Sequence, residues 1–178
     1  MPAGAEPERA ADGGSAAFEA YARDGQRRLY RTAYLLCGNV EGAKDLTQTT
    51  LAKLFQHWRR ASRADHLDAY ARTVLVRTYV AEHRRSVRDL LAHRSHAPRP
   101  QADPASRADL RVTLLALLDE LPPRARAVVV LRYWDDLSVE SVASLLRCSE
   151  STVKSQSSRS LVRLRARMGD AQLYSTGS

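Results

Sequence analysis

Apolar residues recur at three- and four-residue spacing along most of the chain, a pattern that predicts amphipathic helices. In the first half, this spacing predicts a helix from Phe18 to Cys37, a second from about Val40 to Arg60, and a third from about His66 to Leu91. Each helix has one apolar face, so the three can close around a single core. We therefore expect an all-α domain over residues 16–91.

The second half begins with a proline-rich segment that lacks apolar periodicity, residues 92–108, and this composition predicts a flexible linker. A leucine-rich helix is expected from Leu110 to Leu121, because the following Pro122-Pro123 disfavours helical backbone. A further helix is predicted from about Arg124 to Trp134, with Trp134 on its inner side. Asp135-Asp136 is then expected to form a solvated turn.

A helix-turn-helix is predicted from Leu137 to Arg167. Ser138 can cap a first helix that carries a broad apolar stripe. Arg147-Cys148-Ser149 interrupts the pattern, and Ser149 can cap a second helix. The small Ala143 allows the two helices to cross closely, as this motif requires.

The second of these helices carries the chemistry of a DNA-binding element. Its inner face, Val153, Leu161 and Leu164, is continuous only if Ser157 fills the gap. From Ser151 to Arg167 the chain has five basic residues and no acidic one. A solvated helix face usually mixes both signs of charge, whereas basic and hydroxyl groups bind phosphates and base edges. The helix is therefore predicted to contact DNA.

The charge of the whole chain agrees with this interpretation. The formal net charge is +8 and the pI is about 10.0, which favour a polyanionic partner such as nucleic acid. No apolar run is long enough to span a membrane, so no stable membrane insertion is expected. The small, polar ends predict a disordered N-terminus over residues 1–15 and a frayed tail over residues 169–178.

No residue cluster indicates a cofactor, a metal site or a catalytic centre. Cys37 and Cys148 lie far apart and lack the spacing of a metal site or a disulfide framework, so we expect reduced, packed thiols. His93 and His96 have no further ligand at suitable spacing. The adjacent carboxylates at Asp135-Asp136 have no neighbours that would complete an active site, and we expect no enzymatic activity.

The combination of a basic three-helix domain, a proline-rich linker and a C-terminal helix-turn-helix resembles an extracytoplasmic-function (group IV) RNA polymerase sigma factor. The most specific segment is LPPRARAVVVLRYWDDLSVESVASLLRCSESTVKSQSSRSLVRLRAR, which is similar to sigma region 4 almost end to end. Two further segments are similar to sigma region 2, namely DLTQTTLAKLFQHWRR and AYARTVLVRTYVAEHRR. The tyrosine-rich start and the TVKSQ run look most like the actinobacterial branch. The resemblance implies two helical domains, region 2 over residues 16–91 and region 4 over residues 109–168.

The resemblance also implies functional residues for three surfaces. Recognition of the −35 element as duplex DNA would use Thr152, Lys154, Ser155, Ser158, Arg159, Arg163 and Arg165. Capture of an unwound −10 strand would use cations for the backbone and an aromatic face for a base. The basic loop from Arg59 to Asp65 and the third helix offer such side chains, namely Arg59, Arg60, Tyr70, Arg72 and Arg77. Docking on core polymerase would use Asp45, Gln48 and Lys53. Tyr70 could equally be a core aromatic, and the three docking residues could simply be solvated.

As a member of this family, the chain would bind core RNA polymerase and promoter DNA in the cytoplasm, and an anti-sigma factor is a further candidate partner. The catalytic centre would belong to the polymerase. The alternative function is a stand-alone helix-turn-helix regulator, which would bind a palindromic duplex without polymerase. The second basic face, from Arg72 to Arg88, argues against that alternative. Arg147 stands where the turn of the motif usually has glycine, so we expect a strained or differently shaped backbone there.

Overall fold

The computed structural model describes the backbone of residues 7–93 and 108–175, and the side chains of residues 14–85 and 114–168. Within those ranges the secondary structure is helical and contains no strand, which confirms the predicted all-α class. The first half holds α1 Pro7–Cys37, α2 Val40–Gln56, α3 Trp58–Ala61 and α4 Leu67–His93. The second half holds α5 Ala108–Asp119, α6 Pro123–Val129, a π-helical turn Val130–Trp134, α7 Val139–Leu146 and α8 Glu150–Ser175.

The first half is a three-helix bundle in which α1, α2 and α4 contact one another. Its centre is formed by Leu36, Leu46, Leu54 and Leu75, whose side chains are at most 2% exposed. The predicted cap of α2 is present, because the Asn39 Oδ1 atom accepts a 2.7 Å hydrogen bond from the backbone N–H of Gly42. Burial of one face of each helix therefore holds this half together, as the apolar periodicity indicates.

α2 ends at Gln56, earlier than the predicted end near Arg60, and part of the predicted basic loop from Arg59 to Asp65 is helical. The backbone of His57 leaves the helical region, with φ −116° and ψ 24°, and its N–H is shared between the carbonyls of Lys53 and Leu54. A new turn, α3, then buries Ala61 completely. Arg59 and Arg60 therefore lie on a short helix rather than in a loop. The change of direction is stabilised by burial of Ala61, which a single continuous helix pattern does not reveal.

Both ends are more helical than expected. α1 begins at Pro7, so much of the segment predicted as disordered, residues 1–15, is helical. Proline is well suited to the first turn, where its missing N–H costs no hydrogen bond. α8 continues to Ser175 through most of the predicted tail, residues 169–178, which contains no proline to stop it. Most of the predicted linker, including His96, lies outside the described residues.

The helix that was predicted to end at Trp134 widens into a π-helical turn, in which the N–H of Asp135 donates to the carbonyl of Val130 at 3.1 Å. This spacing of five residues shifts the register relative to an α-helix. The side chain of Trp134 is consequently 57% exposed, and the prediction that it lies inside is wrong.

The two halves pack directly against each other. α1 contacts α5, α6 and the π-helical turn, and α4 contacts α6 and α7. At the centre of this interface lies Arg126, which is 3% exposed and donates through Nε to the carbonyl of Leu35 at 2.8 Å and through Nη1 to Asp119 at 3.0 Å. The buried apolar residues of both halves accordingly form one hydrophobic cluster.

Candidate nucleic-acid and polymerase interfaces

Both helices of the helix-turn-helix begin at a serine cap, as predicted. The Ser138 Oγ atom accepts a 3.0 Å hydrogen bond from the N–H of Ser141. The Ser149 Oγ atom accepts one of 3.2 Å from the N–H of Thr152. These bonds satisfy N–H groups that have no partner within the helix. The positions at which α7 and α8 begin are therefore set by local sequence.

The turn between the helices is closed by Arg147 in the left-handed region, with φ 51° and ψ 59°. The N–H of Cys148 then donates to the carbonyl of Ala143 at 3.0 Å. Glycine is the residue that usually takes this position, because a Cβ atom is strained there by about 1–2 kcal/mol. The sequence predicted either a strained backbone or a differently shaped turn at Arg147. The turn has the conformation that glycine usually adopts there, so the backbone of Arg147 is strained.

The inner face of α8 is completed by serine. Val153 is fully buried against α7, and Ser157 is only 8% exposed, so it fills the predicted gap. Ser160 is buried as well, at 5%, whereas Leu161 is half-buried. The small side chains at 157 and 160 let α8 approach the rest of the domain closely, and they leave the longer polar side chains to project outward.

The outer face of α8 presents most of the residues predicted for −35 recognition. The side chains of this set that are exposed are Lys154, Ser155, Ser158, Arg159, Arg163 and Arg165. Thr152 is half-buried, and its hydroxyl lies 2.8 Å from that of Ser149, so it belongs to the cap. Lys154 is 3.6 Å from Glu150, a solvent-exposed ion pair that contributes little to stability and leaves the lysine available. The face that remains is basic and rich in hydroxyl groups.

One cation beside this face was not singled out from the sequence. Arg124, at the start of α6, lines a surface hollow together with Arg159 and Arg163. Its guanidinium donates to the carbonyl of Leu146 at 2.9 Å, at the end of α7. Its position directly after Pro122-Pro123, at a helix start, is the only signal in the sequence that could have identified it.

A second basic surface lies at the junction of α3 and α4. A hollow there is lined by Arg59, Arg60, Arg63 and Tyr70, with Ala64 between them. The three arginines are exposed, and Tyr70 is half-buried, with its ring packed against the core while it lines the hollow. The packing of Tyr70 agrees with the core-aromatic alternative, and its role in binding a base stays a prediction. Arg63 was missed as a site residue, although the third arginine of the RRASR segment was a usable signal.

The other two residues predicted for the −10 strand, Arg72 and Arg77, lie elsewhere. They line a groove between α4 and α7, and the structure does not bring them to the hollow at Tyr70. The Arg72 Nε atom is 3.2 Å from Asp135 Oδ2. The Arg77 Nε atom donates to the carbonyl of Leu145 at 2.9 Å. Burial lowers the pKa of Arg77, and the nearby charge of Arg147 lowers it further.

The aspartate pair before α7 also differs from its prediction as a solvated turn. The side chain of Asp135 is 9% exposed, and its Oδ1 atom accepts a 3.3 Å hydrogen bond from the hydroxyl of Thr32 on α1. Its Oδ2 atom approaches Arg72 without an aligned hydrogen bond. Burial raises the pKa of Asp135, and Arg72 and Thr32 oppose this shift. Asp136 is exposed, with a φ of 50°.

The three residues predicted for polymerase docking lie on α2. Asp45 and Gln48 are exposed. Lys53 is also exposed, but its Nζ atom donates to the hydroxyl of Thr78 on α4 at 2.9 Å. At 100° per residue the three side chains span an arc of about 140°. The surface is therefore broad, with Lys53 at the edge next to α4.

The described part of the chain was also compared with the requirements of a metal site, a membrane-spanning helix and a reactive thiol. No group of three or more histidine, cysteine, aspartate or glutamate side chains there could hold a metal ion. Among the same residues no helix is long and apolar enough to cross a membrane. Burial raises the pKa of the Cys37 thiol to about 12, which keeps it protonated and unreactive at neutral pH.

Comparisons with known proteins agree with this arrangement. Residues 14–89 match the family model "Sigma-70 region 2", and residues 111–164 match "Sigma-70, region 4". The chain is 35% identical over 148 residues to an RNA polymerase sigma-E factor of Streptomyces coelicolor, with coverage of 83% of this chain and 84% of that protein. It is 31% identical over 144 residues to the ECF RNA polymerase sigma factor SigE of Mycolicibacterium smegmatis, covering 78% of this chain and 56% of the relative.

Among solved structures, the sigma factor RpoE of Bartonella quintana, in complex with the anti-sigma factor NepR, superposes with a TM-score of 0.71. The two share 23% sequence identity, over 85% of this chain and 96% of the other, so this likeness shows the fold. The two matched family models together cover most of the chain, and the Streptomyces relative shares more than a third of its residues along most of both proteins. The chain therefore belongs to the sigma-70 family and is an RNA polymerase sigma factor of the extracytoplasmic-function type.

Proposed function

We propose that this sigma factor reads the −35 element with the outer face of α8. The observation that carries the proposal is the capped helix-turn-helix whose exposed face holds Lys154, Ser155, Ser158 and Arg159. A helix of this kind fits the major groove, where arginine and lysine pair with guanine and serine accepts several partners. Arg163 and Arg165, one to two turns further along, would bind phosphates and hold the register.

The −10 strand would be captured at the α3–α4 junction. Melting a duplex costs stacking and pairing energy, which contacts to the separated strand must offset. The hollow at Tyr70 offers an aromatic face for a base, and Arg59, Arg60 and Arg63 surround it with cations for the backbone. Arg72 and Arg77 would extend this basic track along α4 once they are free of α7.

Docking on core polymerase would use the exposed face of α2, with Asp45 near its centre and with Gln48 and Lys53 toward its two opposite edges. The chemistry of RNA synthesis belongs to the polymerase, and we infer that this chain has no catalytic activity of its own. Since it works with the polymerase, its place is the cytoplasm. An anti-sigma factor is a further partner of this chain in our proposal, because the sigma factor RpoE of Bartonella quintana, which shares the fold, was solved in complex with the anti-sigma factor NepR.

The experiment that tests this function is run-off transcription with core polymerase on the DNA upstream of the chain's own coding sequence. Wild-type protein should produce a defined transcript. Arg159→Ala should lower its yield, and Arg167→Ala should not, because Arg167 points away and binds Glu120 through Nε and Nη2 at 2.8–3.1 Å. Equal loss in both variants would remove the −35 role of Arg159.

A further inference from the structure

The connection between α3 and α4 contains a serine, Ser62, within the arginine-rich run RRASR, residues 59–63. The backbone N–H of Ser62 donates to the carbonyl of Trp58 at 2.8 Å and closes the single turn of α3, and the backbone from there to residue 66 is not helical. The side chain of Ser62 is exposed, and among the described residues its hydroxyl has no hydrogen-bond partner. The hydroxyl is therefore accessible to an enzyme from solvent.

This combination distinguishes Ser62 from the other exposed serines that the structure describes. Most of their hydroxyls are hydrogen-bonded within helix caps or to neighbouring residues, namely those of Ser138, Ser141, Ser149, Ser151 and Ser155. The hydroxyls of Ser144 and Ser158 are not, but their backbones are fixed within α7 and α8. An enzyme that modifies a side chain must draw the surrounding backbone into its cleft, and a turn opens at lower cost than a helix interior. Ser62 is therefore the best placed of these serines to be modified.

The arginines around Ser62 form an anion-binding cluster. Arg59, Arg60 and Arg63 are exposed, line one hollow of about 670 Å³, and make no ion pair with the residues that the structure describes. Arg59 precedes Ser62 by three residues on the same helical turn, so these two side chains are neighbours, and Arg63 follows directly. Guanidinium groups bind phosphate oxygens through paired hydrogen bonds. A phosphate on Ser62 would therefore find its partners within its own segment.

The same arginines indicate the class of enzyme that would act on Ser62. A serine kinase that selects basic substrates binds arginines on the N-terminal side of the acceptor with carboxylates of its cleft, and Arg59 and Arg60 supply that charge. α3 is a single turn, which is marginal on its own, so this segment can extend into such a cleft. In the reaction the Ser62 Oγ atom attacks the γ-phosphorus of ATP, the O–P bond to the β-phosphate breaks, ADP leaves, and the hydroxyl proton passes to a base of the kinase.

We propose that Ser62 is a phosphorylation site for an arginine-directed serine kinase, and that its phosphate turns off the −10 surface. The regulatory part rests on the proposed role of Arg59 and Arg60 at the −10 strand. Phosphoserine carries a charge of about −1.5 to −2 at pH 7, which cancels much of the positive charge of the three arginines and engages them in ion pairs. A DNA strand would then meet a surface that already holds an anion. The docking face of α2 and the −35 face of α8 are unchanged, so the modified chain would still bind core polymerase.

The modification is tested with the full chain, ATP labelled at the γ-phosphorus, and an extract of the cells that produce the protein, with a phosphatase inhibitor present. Mass spectrometry should place the label at Ser62, and Ser62→Ala should lack it. Arg59→Gln combined with Arg60→Gln should lower labelling of Ser62 by about tenfold, the effect of losing one charge-assisted hydrogen bond. Arg85→Gln, on the exposed surface of α4, is the control. Absence of label at Ser62, or labelling that is indifferent to the two arginines, would overturn the proposal.

The regulatory role is tested with a chain that carries phosphoserine at position 62, introduced through an amber codon and assembled with core polymerase. Its affinity for a fluorescent single-stranded −10 oligonucleotide is measured as a function of salt. Loss of two phosphate contacts should reduce the slope of log affinity against log salt by about 1.4 and weaken binding at 0.1 M salt roughly 25-fold. Alkaline phosphatase should restore binding, and Ser62→Asn, which adds no charge, should bind like wild type. Equal affinity of the phosphorylated and wild-type holoenzymes would refute the regulatory role.

The double variant Arg59→Ala, Arg60→Ala in the same binding assay separates this inference from the proposed function. If the double variant loses the oligonucleotide and the phosphorylated holoenzyme retains it, the −10 role of the arginines stands and the regulation is wrong. If the double variant binds like wild type, the −10 assignment is wrong and the regulation built on it is overturned, whereas the labelling of Ser62 still decides whether this serine is modified.

Discussion

The guanidinium of Arg77 donates to the carbonyl oxygen of Leu145 at 2.9 Å, across a sequence separation of 68 residues. The bond connects the helix proposed to follow the −10 strand with the first helix of the helix-turn-helix. A residue for which the family resemblance implies a DNA contact is thus hydrogen-bonded to another part of the chain, although its side chain remains exposed. The basic character of a segment alone does not tell whether its charges face solvent, a nucleic acid or another part of the chain.

For −35 recognition, we expect Arg159→Ala to cost about 1–3 kcal/mol in binding by the polymerase holoenzyme and to relax preference at a single base pair, because a bidentate contact to guanine is lost. Arg163→Ala should instead weaken binding about equally on all sequences and reduce its salt dependence, as loss of a phosphate contact does. The measurement is affinity across single-base −35 variants at two salt concentrations. A uniform loss for Arg159→Ala would reduce that residue to a backbone contact.

For promoter melting, the double variant Arg59→Ala, Arg60→Ala should abolish transcription from duplex promoters and spare much of it from templates already mismatched across the −10 region. The reason is that cations around the hollow at Tyr70 stabilise only the separated strand. Arg85→Ala, on the exposed surface of α4, is the matched control. If both templates lose activity equally, these arginines serve docking or folding rather than melting.

For docking, reversing charge with Asp45→Lys or Lys53→Glu should lower affinity for core polymerase without changing which promoter is selected. Asp45 is exposed, and Lys53→Glu removes a single part-buried hydrogen bond, to the hydroxyl of Thr78. Lys44→Glu on the same helix, whose lysine already pairs with Glu41 at 3.0 Å, is the control. Normal binding of core by the Asp45 and Lys53 variants would show that this face of α2 is simply solvated.

The local features of the site could be predicted from the sequence, because they depend on residues a few positions apart. The serine caps at 138 and 149 and the burial of Ser157 follow from the pattern of apolar and capping residues. The ion pair of Arg72 with Asp135 could not be predicted in this way. It joins residues from different halves of the chain, and its geometry depends on the π-helical turn that no periodicity indicates.

The strained turn gives a prediction about stability. Arg147→Gly should raise the free energy of unfolding by about 1 kcal/mol, because glycine adopts a positive φ without the cost that a Cβ atom causes. Arg147→Ala removes the same charge and retains the Cβ atom, so the difference between the two variants reports the backbone alone. Urea denaturation of both provides the measurement, and equal stability of the glycine and alanine variants would show that position 147 carries no strain.

The buried aspartate gives a prediction about pH. Since burial raises the pKa of Asp135 in the folded chain, ionisation costs the folded state more than the unfolded one. The wild-type chain should therefore lose stability relative to Asp135→Asn as the pH rises from the ordinary pKa of aspartate through the raised one. Asp136→Asn, at an exposed neighbouring site, is the matched control. A difference that instead favours wild type as pH rises would mean that the charge of Arg72 outweighs burial.

The central claim is that this chain selects promoters as a subunit of RNA polymerase and not as an independent regulator. The most direct test is fluorescence anisotropy with a labelled promoter duplex, titrated with the chain in the presence and absence of core polymerase. We expect weak binding that is indifferent to sequence for the chain alone, and tight binding that depends on both the −35 and −10 elements once core polymerase is present. Tight, sequence-specific binding of the chain alone to a short palindromic duplex, unaffected by core polymerase, would contradict this account.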